Sequence, residues 1–121
     1  MDNPFSDPEV VIHRYTRAQA IEDGVLVDVS EWASPREMMG GFTIPVAVTS
    51  AVWALVQAPE GSHEDTRGRA HDVLWLARHA VTQGCSHFTV RIGKHDVRMW
   101  IHIGGGDDGE PVATIMLEGE D

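Results

Sequence analysis

At Gly84 the spacing of hydrophobic residues changes from a helical to an extended period. Upstream, Ala70, Val73, Leu74, Ala77 and Val81 recur at intervals of three and four. That spacing predicts an amphipathic helix over about 69–83, closed by Gly84. Downstream, Phe88, Val90 and Ile92 alternate with Thr89 and Arg91. After a Gly93-Lys94-His95-Asp96 turn, Val97, Met99, Ile101 and Ile103 alternate with Arg98, Trp100 and His102. A Gly-rich loop over 104–110 then leads to a last strand, Pro111–Leu117. Period two with turn residues between the runs predicts two connected hairpins, an antiparallel meander.

The first half is more broken. Residues 1–8, with two prolines, read as a flexible acidic tail, and Glu9–Tyr15 as a β-rich first strand. Thr16 and Gln19 form a capping box for a short helix over about 17–23 that stops at Gly24. Val25–Val29 follows as a strand. Ser34-Pro35-Arg36-Glu37 carries a second helix-start signal that fades at Gly40-Gly41. Pro45 argues against a central strand in 42–48. Thr49 caps a helix through Ala51, Val52, Trp53, Leu55 and Val56, ended by Pro59, and 59–68 is a polar loop. The expected architecture is α+β: a C-terminal antiparallel β-meander with two or three helices packed on one face, residues 9–121 forming a single domain.

Charge changes the picture. The chain has 19 Asp and Glu against 9 Lys and Arg, for a net −10. The imbalance is patterned: residues 1–66 carry a net −8, residues 67–98 a net +4, and residues 99–121 six acids with no Lys or Arg. Such a protein meets DNA or anionic membranes against its own field and is better suited to a basic partner. The candidate partner-binding residues are Glu22, Asp23, Asp28 and Glu31 in the first acidic stretch. In the last stretch they are Asp107, Asp108, Glu110, Glu118 and Glu120. Trp75 joins them as a possible interface anchor beside His71, Arg78 and His79, although a tryptophan is expected to be mostly buried, here under the polar loop or the N-terminal segment.

Other chemistry is weakly signalled. Gly104–Gly109 fits G-x-G-x-x-G in form, but a strand rather than a helix follows it, so a hairpin loop is expected. The carboxylates of that loop lack the spacing of a calcium loop. Cys85 cannot form an intramolecular disulfide, and beside His87 it lacks a third orienting group; a buried inert thiol is expected. No metal, cofactor or catalytic set is assigned. The acidic N-terminus lacks the basic and apolar regions of a signal peptide, and no apolar run reaches the roughly 18–20 residues that span a bilayer, so the expectation is a cytoplasmic protein.

The stretches YTRAQAIEDGVLVDVSE (15–31), HDVLWLARHA (71–80) and GGDDGEPVATIMLEGED (105–121) resemble a family of small uncharacterised acidic bacterial proteins, a domain of unknown function. That resemblance implies a setting on plasmids, prophages and phages, near antirestriction genes; this chain is shorter than the family pattern in its middle. Charge and setting together lead to a non-enzymatic interaction protein of a mobile element. It would be an inhibitor of anti-CRISPR or antirestriction type that covers the basic nucleic-acid-binding surface of a host nuclease, CRISPR or restriction component. The alternatives are a homo-oligomeric structural or accessory phage or plasmid protein, such as a homodimer, and a small hydrolase.

Overall fold

A computed structural model describes residues 15–60 and 65–120 of the chain. The expected tail at 1–8, the expected strand up to residue 14, and Asp121 lie outside the described residues.

The capping box at Thr16 forms as expected. Its hydroxyl accepts from the Gln19 amide at 3.0 Å, and the Gln19 side chain accepts from the Thr16 amide at 2.9 Å, starting helix α1, Arg17–Glu22. Gly24, at φ +79°, turns the chain into strand β1, Leu26–Asp28. A single-turn helix, α2, spans Ser30–Ala33, and strand β2 spans Val46–Thr49. Helix α3, Ser50–Val56, is capped by the Thr49 hydroxyl, which accepts from the Val52 amide at 3.2 Å. Helix α4, Thr66–Thr82, precedes strands β3, His87–Ile92, β4, His95–Gly105, and β5, Pro111–Leu117.

Three expectations from the sequence are corrected. Residues 34–37 end a helix rather than start one. Ser34 precedes Pro35, whose ring pushes it out of the helical region, and it sits extended at φ −69°, ψ 159° as the C-terminal cap of α2. The 42–48 segment does supply an interior strand, because Pro45 lies one residue before β2. Pro45 contributes only its carbonyl, which accepts from the Ala113 amide at 2.9 Å, so its missing N–H costs no pairing. Helix α4 starts three residues early, where the Asp65 side chain caps it by accepting from the Gly68 amide at 2.6 Å.

The five strands form one mixed sheet in the order β1-β2-β5-β4-β3. The C-terminal meander is as expected: β3 pairs antiparallel with β4 from His87↔Trp100 to Ile92↔His95, and β4 with β5 from Met99↔Leu117 to Gly105↔Pro111. Strand β5 then pairs parallel with β2, matching Val46 to Ala113 and Val48 to Ile115, and β1 closes the far edge antiparallel to β2.

One face of the sheet carries the core. Val46 and Val48, Met99 and Ile101, Ala113 and Ile115 are buried there against Val52 and Val56 of α3 and Ala70, Val73, Leu74 and Ala77 of α4. Alternation sends Thr114 to the opposite face, and α1 reaches it there.

Candidate functional site

Arg17 organises the acidic residues. Its guanidinium lies across the outer face of β5, Nη1 donating to Thr114 Oγ1 at 2.7 Å and Nη2 to the Ala113 carbonyl at 2.8 Å. Burial lowers its pKa, and the charges of Asp28, Asp107 and Glu110 oppose that lowering. Carboxylates from both acidic ends of the chain therefore gather around one half-buried cation. Asp107 does more: its two carboxylate oxygens accept from the amides of Arg17 and Ala18 at 2.8 and 3.0 Å. It binds the first turn of α1, where unpaired N–H groups and the helix dipole favour an anion.

The remaining candidates divide by what they touch. Glu118 lies 3.4 Å from Arg98. Glu120 is held inward, its Oε2 accepting from Thr49 Oγ1 at 2.9 Å and from the Leu117 amide at 2.7 Å. Glu110 folds back on its own loop, accepting from the Asp108 amide at 3.0 Å. Asp28 accepts from both the amide and hydroxyl of Ser30, at 2.9 and 2.6 Å. Asp23 accepts from the Tyr15 hydroxyl at 2.9 Å. Reduced hydration and then that bond and the Asp23 charge raise the Tyr15 pKa. The side chains of Glu22, Glu31 and Asp108 are exposed and make no hydrogen bond or ion pair with the described residues. Acids flank α1 as an interrupted stripe, Asp107 at its N-terminal end and Glu22 and Asp23 at its C-terminal end, with Arg17 the one charged residue before Glu22 in the helix. The helix between them is about 9 Å long at 1.5 Å per residue.

The expectation that Trp75 is mostly buried is overturned. It is 56% exposed on the side of α4 turned away from the sheet, stacked on His71 with ring centroids 5.9 Å apart. The residue before it, Leu74, is buried, and the helical turn carries Trp75 outward. A cavity of about 270 Å³ runs beside it, lined by Gly40, Arg78, His79 and Thr82. Gly40 permits this groove wall to lie close, since a Cβ there would stand 3.0 Å from the Leu74 carbonyl oxygen.

Cys85 is exposed, not buried, because the turn after Gly84 faces it to solvent; its Sγ lies 3.9 Å from the Gln83 carbonyl oxygen. His87 instead meets Ser86 and packs edge-on against Trp100, centroids 4.4 Å apart. The two do not form a nucleophile pair. Among the described residues, no three His, Cys, Asp or Glu side chains are grouped to hold a metal ion, and no helix is long and apolar enough to cross a membrane.

Sequence reasoning missed a second concavity. A cavity of about 360 Å³ opens beside β1, lined by Val27, Asp28, Val29, Glu31, Trp32 and Trp53. The two indoles stand 6.2 Å apart at 43°, one from α2 and one from α3. Trp32 already receives the Arg67 guanidinium 5.7 Å from its ring centre, and Arg67 is held there by an ion pair with Glu37. Glu31 next to Trp32 in the sequence was the available signal; nothing in the sequence brought Trp53 beside them.

A family model described as a family of unknown function, DUF6573, matches residues 1–121, and the chain belongs to that family. No match is found among curated proteins or among solved structures.

Proposed function

We propose that this chain is a non-enzymatic interaction protein that docks its acidic stripe on a basic surface of a protein partner, one that otherwise holds a nucleic-acid backbone. The observation that carries this reading is the contact of Asp107 with the amides of Arg17 and Ala18, which draws the C-terminal acidic stretch onto the N-terminal helix; the charges of Asp28 and Glu110 also act on Arg17. Glu22, Glu31 and Asp108 add exposed carboxylates. Glu22 and Asp23 add support, since acids at the C-terminal end of a helix oppose its dipole. A local arrangement that disfavours the helix is accounted for if the surface serves binding. In this proposal the setting is the cytoplasm of a cell carrying a mobile element, and the partner is a nuclease, CRISPR or restriction component whose groove is read by charge.

The test is capture from native-host lysate with the tagged protein, comparing the wild type with the triple variant Glu22→Lys, Glu31→Lys, Asp108→Lys. These three side chains hold no hydrogen bond or ion pair with the described residues, so the variant is expected to keep its circular dichroism spectrum. The expected result is a discrete nucleic-acid-binding protein that is retained at low salt and displaced by high salt or by added polynucleotide. The variant fails to retain it. A captured protein indifferent to both polynucleotide and the triple variant overturns the reading.

A second reading, a self-assembling accessory module, draws on the outer side of the molecule. Trp75 and Met38 are 56% and 77% exposed, and β3 is an open sheet edge. A solution mass above the 13.3 kDa of one chain at micromolar concentration favours it.

A further inference from the structure

We infer that the cavity lined by Trp32 and Trp53 is a binding pocket for a guanidinium group, presented as an arginine side chain by the protein partner. The inference deepens the docking proposal and rests on it for the source of the arginine.

A guanidinium needs flat π-faces for its plane and acceptors in its plane for its N–H fork. The pocket supplies both. Trp32 and Trp53, packed on each other with centroids 6.2 Å apart, contribute two tilted indoles to one side of its lining. Trp32 is demonstrably a guanidinium surface, since Arg67 lies 5.7 Å from its centre. Arg67 is tied to Glu37, whereas the Glu31 carboxylate makes no bond to any described residue and Glu31 lines the cavity.

The edge of the sheet supplies a further acceptor. Val29 donates its amide to the Val46 carbonyl, and the Val25 carbonyl accepts from the Ser50 amide, so the odd-numbered residues of this segment bond toward β2. Antiparallel alternation then directs the backbone of Asp28 away from β2, to the open edge where the cavity lies. The Asp28 side chain is occupied by Ser30, which leaves its carbonyl and the Glu31 carboxylate as the acceptors of the pocket.

The walls are held in place before anything binds. Trp53 and Trp32 both pack against the main core cluster. Behind Trp53, against Val56, Ala70 and Val73, the remaining void is about 10 Å³, no more than a single water requires. A preformed site loses little entropy on ordering its ligand. At about 360 Å³ it is large enough for a guanidinium and part of its stem.

The experiment uses the four tryptophan indole N–H signals of the full chain in a ¹H–¹⁵N NMR spectrum. N-acetylarginine amide is titrated in, with N-acetyllysine amide and tetramethylammonium as parallel probes. The expected result is a saturable shift of the Trp32 and Trp53 signals, with Trp75 and Trp100 unmoved, and arginine preferred over both other cations. Glu31→Gln, an exposed site with no side-chain bond to the described residues, should weaken arginine binding about tenfold, in line with a lost charge-assisted hydrogen bond. Equal shifts at all four indoles, equal response to lysine or tetramethylammonium, or an unchanged affinity in Glu31→Gln overturns the assignment. The outcome separates from the docking proposal: saturable arginine binding without a captured partner sinks that proposal and keeps the pocket, and a captured partner without arginine binding does the reverse.

Discussion

At the scale of single residues, Tyr15 offers a direct probe, because it is the only tyrosine in the chain. Its hydroxyl donates to Asp23 at 2.9 Å, a bond the phenolate cannot make. Its pKa is raised by reduced hydration first and by Asp23 second. The ring is more than half exposed, so the Asp23 contribution is the one a variant isolates. A raised folded-state pKa means that the stabilisation is fully present below the ordinary tyrosine value and is lost as pH rises through the raised one. Ultraviolet titration of the phenolate band should therefore give a midpoint above the ordinary range, near 10. Asp23→Asn should lower it part of the way back. An unchanged midpoint in the variant means that the Tyr15–Asp23 bond does not persist in solution.

At the scale of elements, α1 is too short to hold together by its own hydrogen bonds, since isolated helices of its length are marginal in water. Asp107, ninety positions away, supplies the missing partners at its N-terminal end. Asp107→Ala should cost about 1 kcal/mol in denaturant unfolding without a change in slope, the usual size of a lost cap. The amides of Arg17 and Ala18 should lose hydrogen-exchange protection first. Asp108→Ala, one residue on and without a side-chain bond to the described residues, should stay within about 0.5 kcal/mol of wild type. Equal effects of the two substitutions would remove the clamp. This pair also marks what the sequence made legible. Signals that act within a few residues survived folding: the Thr16 capping box, the Thr49 cap, the helical stripe of α4 and the alternation of β3, β4 and β5. Asp107 and Asp108 were indistinguishable as solvated loop acids, because the roles that separate them depend on a contact across the fold. The parallel pairing of β2 with β5 was hidden for the same reason: α3, α4, β3 and β4 intervene. So was the meeting of Trp32 with Trp53. Trp75 was read as buried from the average behaviour of its residue type, and its position on the outer side of α4 overrode that average.

At the scale of the whole molecule, charge acts in two opposite directions. The net −10 sits on a chain whose ion pairs among the described residues, such as Arg98–Glu118 and Arg91–Asp96, are at the exposed surface and contribute little individually. The larger electrostatic quantity is the mutual repulsion of the acids along α1, around Asp107 and Asp108, and at the C-terminal end, which disfavours the compact state. Salt shortens the reach of that repulsion to about 10 Å at 0.1 M and less above it. Thermal stability of the isolated protein should therefore rise with sodium chloride, by about 2–5 °C if roughly 1 kcal/mol of repulsion is relieved. Binding to a basic partner should fall over the same range, because there the same carboxylates attract. Differential scanning calorimetry and a binding titration across one salt series measure both. The triple variant Glu22→Lys, Glu31→Lys, Asp108→Lys, with its net charge reduced, should show a flatter stability response as well as weak binding, which ties the two effects to the same side chains. If instead wild-type stability falls with salt, attraction centred on Arg17 outweighs the repulsion. The acidic stripe would then be a neutralised structural network, and the case for its being a docking surface would go with it.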